Sequence, residues 1–364
     1  MIKKILVFTC NRAEYSKLEP IIKYLNDSIN FELKLIVVGS HLLRDYGFTE
    51  RFINYKIDYK INTLVNSDSK SMMAESVGLS CSKLPLIFEI ENPDAVIIHG
   101  DRFDVISIAT ISALMNTCLI HIEGGERSGT IDDHIRNCIS KLASYHLVSN
   151  NESKINLIKM NEPDNLIYIT GCPLYDKLLN FVPNKELDQE VKKNNYIICS
   201  FHPVTTDLDK SLSDFTKLVE TLIEINKKII IFYPNCDLGT KKFVKIIDDK
   251  LKNNKNFLIL KSMENDDYLS HLYYASLIIG NSSSGIREAG AFGISSISLG
   301  NRQKNRSYDK NVIFLENFTK DELIIKINEN YNKKFEISTL YGNGKFVDNF
   351  DKFMNSIEFN YKNK

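Results

Sequence analysis

The stretch CLIHIEGGERSGTIDD, Cys118 to Asp133, passes from a short apolar run into a glycine-rich loop that carries several carboxylates. A run this short, closed by glycines and followed by a helix-like segment, reads as a buried strand whose end opens onto a polar loop. The same unit recurs along the chain. In the first half the runs are Ile2 to Phe8, Phe31 to Val38, Ala95 to His99, Cys118 to Ile122 and Tyr145 to Val148. The second half restarts the pattern with Tyr196 to Ser200, Lys228 to Tyr233, Phe257 to Leu260, Leu277 to Gly280 and Ser295 to Leu299.

Nearly continuous Ile, Val and Leu runs separated by helix-length stretches predict parallel sheets covered on both faces. The expected fold is therefore α/β, with two Rossmann-like domains facing a central cleft. A length of 364 residues is more than one hydrophobic core usually organises, which agrees with two domains. We place them at residues 1–180 and 190–345, joined by the polar segment Phe181 to Asn195. Phe346, Phe350, Phe353 and Ile357 recur at helical spacing, so Phe346 to Phe359 should form an amphipathic helix, with 346–364 docking across the domains.

Composition excludes several classes. Acidic and basic side chains balance at 46 each, and no basic block breaks the balance locally, so no nucleic-acid partner is expected. No apolar run approaches the roughly twenty residues that span a bilayer, and the opening MIKKILVFTCNR is too short for a secretion signal. No membrane association and a cytoplasmic location are expected. The seven cysteines are odd in number, widely spaced and without a CxxC pair, as expected for reduced thiols.

In open parallel sheets ligands bind beyond the carboxyl ends of the strands. TCNRAEYSK, HGDRFD and HIEGGERSGTIDD lie at such ends in the first half, and SFHPVTTD, YPNCDLGT and GNSSSGIRE in the second. Asp101, Glu123, Asp132 and Asp133 are the carboxylates placed for proton transfer. Asp132 also reads as the cap of a helix from Asp133 to about Ala143, which divides the catalytic role between the two neighbours. GNSSSGIRE puts Ser282 and Ser283 where a strand meets a helix, a phosphate-binding arrangement that a simple serine N-cap would also explain. Glu288 can accept from ribose hydroxyls. His202 and Asn235 follow strands of the same half, while Arg12, Ser16 and Arg102 supply donors from the first. His99, His121 and His134 lack any metal-binding spacing, so neither metal nor other cofactor is expected.

Taken in order, TCNRAEYSKL, GSHLLRDYG, MMAESVGL, HGDRFD, HIEGGERSGTIDDHIR, GCPLYDKLL, HPVTTD, GNSSSGIREAGAFG, LGNRQ and LYGNGK resemble the hydrolysing UDP-N-acetylglucosamine 2-epimerases of sialic acid synthesis. The likeness is greatest to the epimerase half of the animal bifunctional epimerase/kinase and covers nearly the whole chain. It implies a GT-B fold and elimination of UDP to a 2-acetamidoglucal, which water converts to N-acetylmannosamine. Asp101, Glu123 and Asp132 or Asp133 would be its acid/base groups, with His202 close to the diphosphate. UDP contacts would fall on Arg12, Ser16, Arg102, His202, Asn235, Ser282, Ser283, Glu288 and Arg302, with backbone near Met263. The partners implied are UDP-N-acetylglucosamine and water, in a homodimer or homotetramer; phosphorylation of N-acetylmannosamine is not expected. The same chemistry on UDP-N,N′-diacetylbacillosamine, a non-hydrolysing epimerase, a GT-B glycosyltransferase and an inactive nucleotide-sugar binder remain as alternatives.

Overall fold

Strand residues in this chain alternate between two buried faces, and that alternation builds the protein. In the computed structural model, which describes residues 2–67, 69–184 and 195–360, the first sheet comprises β1 (Lys3–Thr9), β2 (Phe31–Val37), β3 (Tyr59–Lys60), β4 (Ala95–His99), β5 (Cys118–Ile122), β6 (Tyr145–Val148) and β7 (Ile167–Ile169). The second comprises β8 (Tyr196–Ser200), β9 (Lys228–Phe232), β10 (Phe257–Leu260), β11 (Leu277–Gly280), β12 (Ser296–Leu299) and β13 (Val312–Leu315). Their orders are β3-β2-β1-β4-β5-β6-β7 and β10-β9-β8-β11-β12-β13. Every pairing is parallel.

Within β1, Ile5 and Val7 join one buried cluster while Leu6 and Phe8 join another on the opposite face. In β8, Ile197 and Cys199 divide in the same way from Tyr196 and Ile198. Burial on both faces is what removes the polar alternation seen in one-sided sheets. Two parallel-sheet α/β domains thus agree with the fold class expected from the sequence.

Chain contacts divide the molecule into one unit of Met1–Arg127, Asp132–Lys177 and Tyr341–Lys364 and a second of Ser128–Ile131 and Leu178–Leu340. Of the connection read at Phe181 to Asn195, residues 185–194 lie outside the described residues. The final helix spans Phe346–Ser356 and belongs to the first unit. Its Phe346, Phe350 and Phe353 are buried in the core beneath β1, β5 and β6, and Phe353 meets the Tyr168 ring edge-on at 4.8 Å. The Asp176 carboxylate receives the Phe346 and Val347 amides at 2.7 and 2.8 Å, acting as a cap borrowed from elsewhere in the chain. The helix stops short of the expected Phe359 because Ile357 turns extended, which carries Phe359 onto the ring of Phe31.

Short edge strands β3 and β7, and β13, were not expected. None of the seven cysteines is in a disulfide, and among the described residues no helix is long and apolar enough to cross a membrane.

Candidate functional site

In each sheet the strand order reverses once, between β1 and β4 and between β8 and β11. Loops diverge at such a point and leave room for a ligand.

In the first unit, Asn11 caps the helix Arg12–Asp27 by accepting the Glu14 amide at 3.1 Å. Arg12 opens that helix, but the Ser16 hydroxyl is buried and donates to the Ala13 carbonyl at 2.9 Å. Lys17, one position on, reaches Glu123 Oε2 at 3.5 Å. After β4, Arg102 precedes the helix Phe103–Leu114, where its Nε lies 3.4 Å from Asp104 Oδ2 and its guanidinium covers the Phe103 ring.

Glu123, just past β5, is 4% exposed and holds a left-handed backbone with φ of 62°. That conformation is uncommon outside glycine. It turns the carboxylate so that Oε2 accepts from His99 Nε2 at 2.8 Å. Asp101, on the neighbouring strand end, pairs with Arg136. Arg136 also donates at 2.6 Å to Asp133 Oδ1 and at 2.6 Å to the Glu126 carbonyl. Asp101, Asp133 and Arg136 are thereby one ionic cluster, with the guanidinium cation further stabilised by both acids despite its burial.

The helix that carries the two adjacent acids spans Ile131–Leu142. Asp132 therefore lies inside the first turn and is not the cap ahead of it, a correction to the sequence reading. Both acids favourably face the helix N-terminus, and the Arg136 bond distinguishes Asp133 from its neighbour.

His121 braces this region. Its Nε2 donates to the Gly100 carbonyl at 2.8 Å, which leaves Nδ1 to accept from the Ser140 hydroxyl at 3.1 Å. Burial pushes its pKa down to about 3, so the ring is neutral. Gly125 follows with φ of 75°, and a Cβ there would stand 2.2 Å from the Ser153 carbonyl oxygen, so only glycine fits.

Glu14 is a buried carboxyl of a different kind. Desolvation raises its pKa to about 8, opposed by the Cys10 amide that donates to it at 3.0 Å. The folded state thus holds this proton more tightly than the unfolded chain. Its contribution to stability is full below the ordinary carboxyl range and is lost as pH rises from about 4.5 to about 8. Glu14→Gln should therefore gain at least about 1 kcal/mol on the wild type across that window. Paired unfolding curves at several pH values check this, and a pH-independent gap would refute it.

In the second unit, the Asn235 amide donates to His202 Nδ1 at 3.1 Å, bringing together two residues chosen only from their strand-end positions. Ser282 accepts the Ser284 amide at 3.3 Å and so does cap the short turn Ser283–Gly285. The following helix, Arg287–Ala291, has only five residues, so the expected helix dipole is small and the anion-binding capacity rests on loop amides and hydroxyls. Glu288 is buried with Oε2 lacking a hydrogen-bond partner, an oxygen suited to a ligand hydroxyl. Arg302 donates to the Asn281 carbonyl at 3.1 Å, and Met263 packs against the apolar cluster that includes Ile230 and Phe232.

Lys17, Arg136 and Asn281 were missed as site residues in the sequence reading. The motif HIEGGERSGTIDDHIR contained the signal for Arg136, one turn beyond the acids. Among the described residues no group of three or more His, Cys, Asp or Glu could hold a metal ion.

Comparison with known proteins follows this geometry. The chain is 36% identical over 330 residues to a UDP-N-acetylglucosamine 2-epimerase of Neisseria meningitidis serogroup B, covering 88% of this chain and 85% of that protein. It is 30% identical to the hydrolysing UDP-N,N′-diacetylbacillosamine 2-epimerase of Legionella pneumophila, covering 98% of this chain and 97% of the relative. Its fold matches the crystal structure of a Neisseria meningitidis UDP-GlcNAc 2-epimerase bound to UDP-GlcNAc with a TM-score of 0.79 at 18% identity, over 97% of this chain and 100% of that one. The profile of the family described as UDP-N-acetylglucosamine 2-epimerase matches residues 23–354, and the chain belongs to that family.

Proposed function

We propose that the protein is a hydrolysing 2-epimerase, converting UDP-N-acetylglucosamine and water to N-acetylmannosamine and UDP. A carboxylate takes the C2 proton, the C2–H electrons form a C1–C2 double bond, and UDP leaves with the C1–O electrons. Water then adds hydroxyl to C1, and a proton returns to C2 on the opposite face. Removal and return on opposite faces require more than one acid/base group. The observation that carries the reading is the gathering of Asp101 and Asp133 on Arg136, with Glu123 held by His99 after the adjacent strand.

Asp101, Glu123 and Asp132 or Asp133 are the proposed acid/base groups. His202 is proposed beside the diphosphate, where a ring N–H stabilises the departing charge. Arg12, Ser16, Arg102, Asn235, Ser282, Ser283, Glu288 and Arg302, with backbone near Met263, are the proposed UDP contacts. Glu288 Oε2 supports the ribose end of this set, whereas the Ser16 bond to Ala13 makes it the weakest member.

A second reading is the same reaction on UDP-N,N′-diacetylbacillosamine, favoured by the Legionella relative that matches 98% of the chain. Incubating both nucleotide sugars in heavy water separates the readings. Deuterium is expected at C2 of a released free sugar, and the substrate consumed faster identifies the preference. An epimer still attached to UDP would establish the non-hydrolysing alternative. Unlabelled product, or none without an added acceptor, would overturn the mechanism.

A further inference from the structure

Asn281 is 1% exposed and stands at the strand-order reversal of the second sheet, yet no step above uses its side chain. Its amide forms a closed pair with the main chain of His202. Oδ1 accepts the His202 N–H at 2.7 Å, and Nδ2 donates to the His202 carbonyl at 2.8 Å. A side chain thus imitates the pairing that another strand would offer, at a residue already beyond the end of β8. The Asn281 main chain is tied as well. Its amide donates to the Ser200 carbonyl at 3.1 Å, and its carbonyl accepts from Arg302 Nη1 at 3.1 Å and Gln303 Nε2 at 3.2 Å.

Such an approach is possible only beside a glycine. Gly280 has φ of 139°, and a Cβ there would lie 2.0 Å from the Ser200 carbonyl oxygen. The residue pair Gly280 and Asn281 therefore draws β11 against β8 and grips the next loop in the same stroke. Farther along His202, the ring is oriented by the Asn235 main-chain amide, which makes Nδ1 an acceptor and assigns the proton of the neutral ring to Nε2, whose neighbour in this structure is the Ser200 hydroxyl at a long 3.5 Å. Main chain and ring of His202 are consequently held by two different residues, Asn281 and Asn235.

We infer that Asn281 is a positioning residue that acts through His202, fixing the loop so that the Nε2–H faces the nucleotide's diphosphate. The inference rests on the proposed reading of His202 as a diphosphate contact. It differs from a role in general packing because the amide bonds are made to one residue, and their loss should be felt through that residue.

A double-mutant cycle on UDP affinity tests this, using the full chain and UDP itself as the probe. His202→Ala and Asn281→Ala are each expected to weaken UDP binding about tenfold, and the double variant no more than His202→Ala alone. Asn281→Ser, with a hydroxyl able to satisfy part of the pair, should lose less and serves where the alanine variant does not fold. Nitrogen NMR of the wild-type imidazole should show the Nε2–H tautomer, and tautomer exchange should appear in the Asn281 variant.

Losses that add in the double variant would overturn the inference while leaving His202 as a contact. Unchanged UDP binding in Asn281→Ala or Asn281→Ser would also overturn it. Unchanged binding in His202→Ala would overturn the diphosphate reading and this inference with it.

Discussion

Glu123→Gln is expected to lower turnover at least about 100-fold while leaving UDP binding within about twofold of wild type. Glutamine keeps the length of the side chain and an oxygen to accept from His99, so packing around this 4%-exposed residue is preserved. What disappears is the ability to take and return a proton. The left-handed backbone at φ of 62° remains the same burden for both side chains, and strain of this kind is tolerated where function demands an orientation. Asp101→Asn should behave alike, although its partner is Arg136 and not a histidine. The proposed contacts of the second unit, His202, Ser282 and Glu288, are untouched by either change. Steady-state rates and UDP titrations of both variants check the result, and normal turnover in either one would mean that the acid/base centre is misassigned.

Arg136→Met should cost about 3–5 kcal/mol of stability. The guanidinium is 1% exposed and bonds Asp101, Asp133 and the Glu126 carbonyl, so its removal leaves two neighbouring acids without their shared cation. Because the chain divides into two units, the loss should fall on one of two unfolding transitions and leave the other in place. Arg136→Lys restores a charge but not the planar fork that serves several acceptors at once, so its recovery should be partial. Denaturant unfolding followed by a probe in each unit makes the measurement. A methionine variant as stable as wild type would show that the cluster contributes nothing to folding.

How far these features could be read in advance depended on how local their causes are. The central strands announced themselves because both faces are buried, so apolar residues run without interruption through Ala95–Ile98 and Tyr196–Cys199. Edge strands need burial on less of their surface: β7 is three residues long, and Ile169 is 47% exposed, so its apolar run is short. β13 carries the apolar sequence VIFL but was passed over; three of its four residues are only partly buried.

Candidate carboxylates were found by a local rule, since each follows a strand. Their supports obey no such rule. Arg136 lies 35 positions from Asp101, Lys17 lies 106 from Glu123 and Asn281 lies 79 from His202. Which side chains meet across those separations is decided by strand order, a property of the assembled sheet. Ser16 illustrates the converse, because its position after β1 was read correctly while its hydroxyl is engaged by its own helix.

The helix Phe346–Ser356 fills the core beneath β1, β5 and β6, although the whole of Leu178–Leu340 separates it from the rest of that unit. On the ribosome, then, the earlier of these two units to emerge cannot be the first of them to finish. Its aromatic underside stays open throughout synthesis of the second domain and is sealed only once Phe346–Ser356 has been made. The nascent chain reverses the usual N-terminal-first order of folding, and an exposed apolar face in that interval is the kind of surface a chaperone would shield.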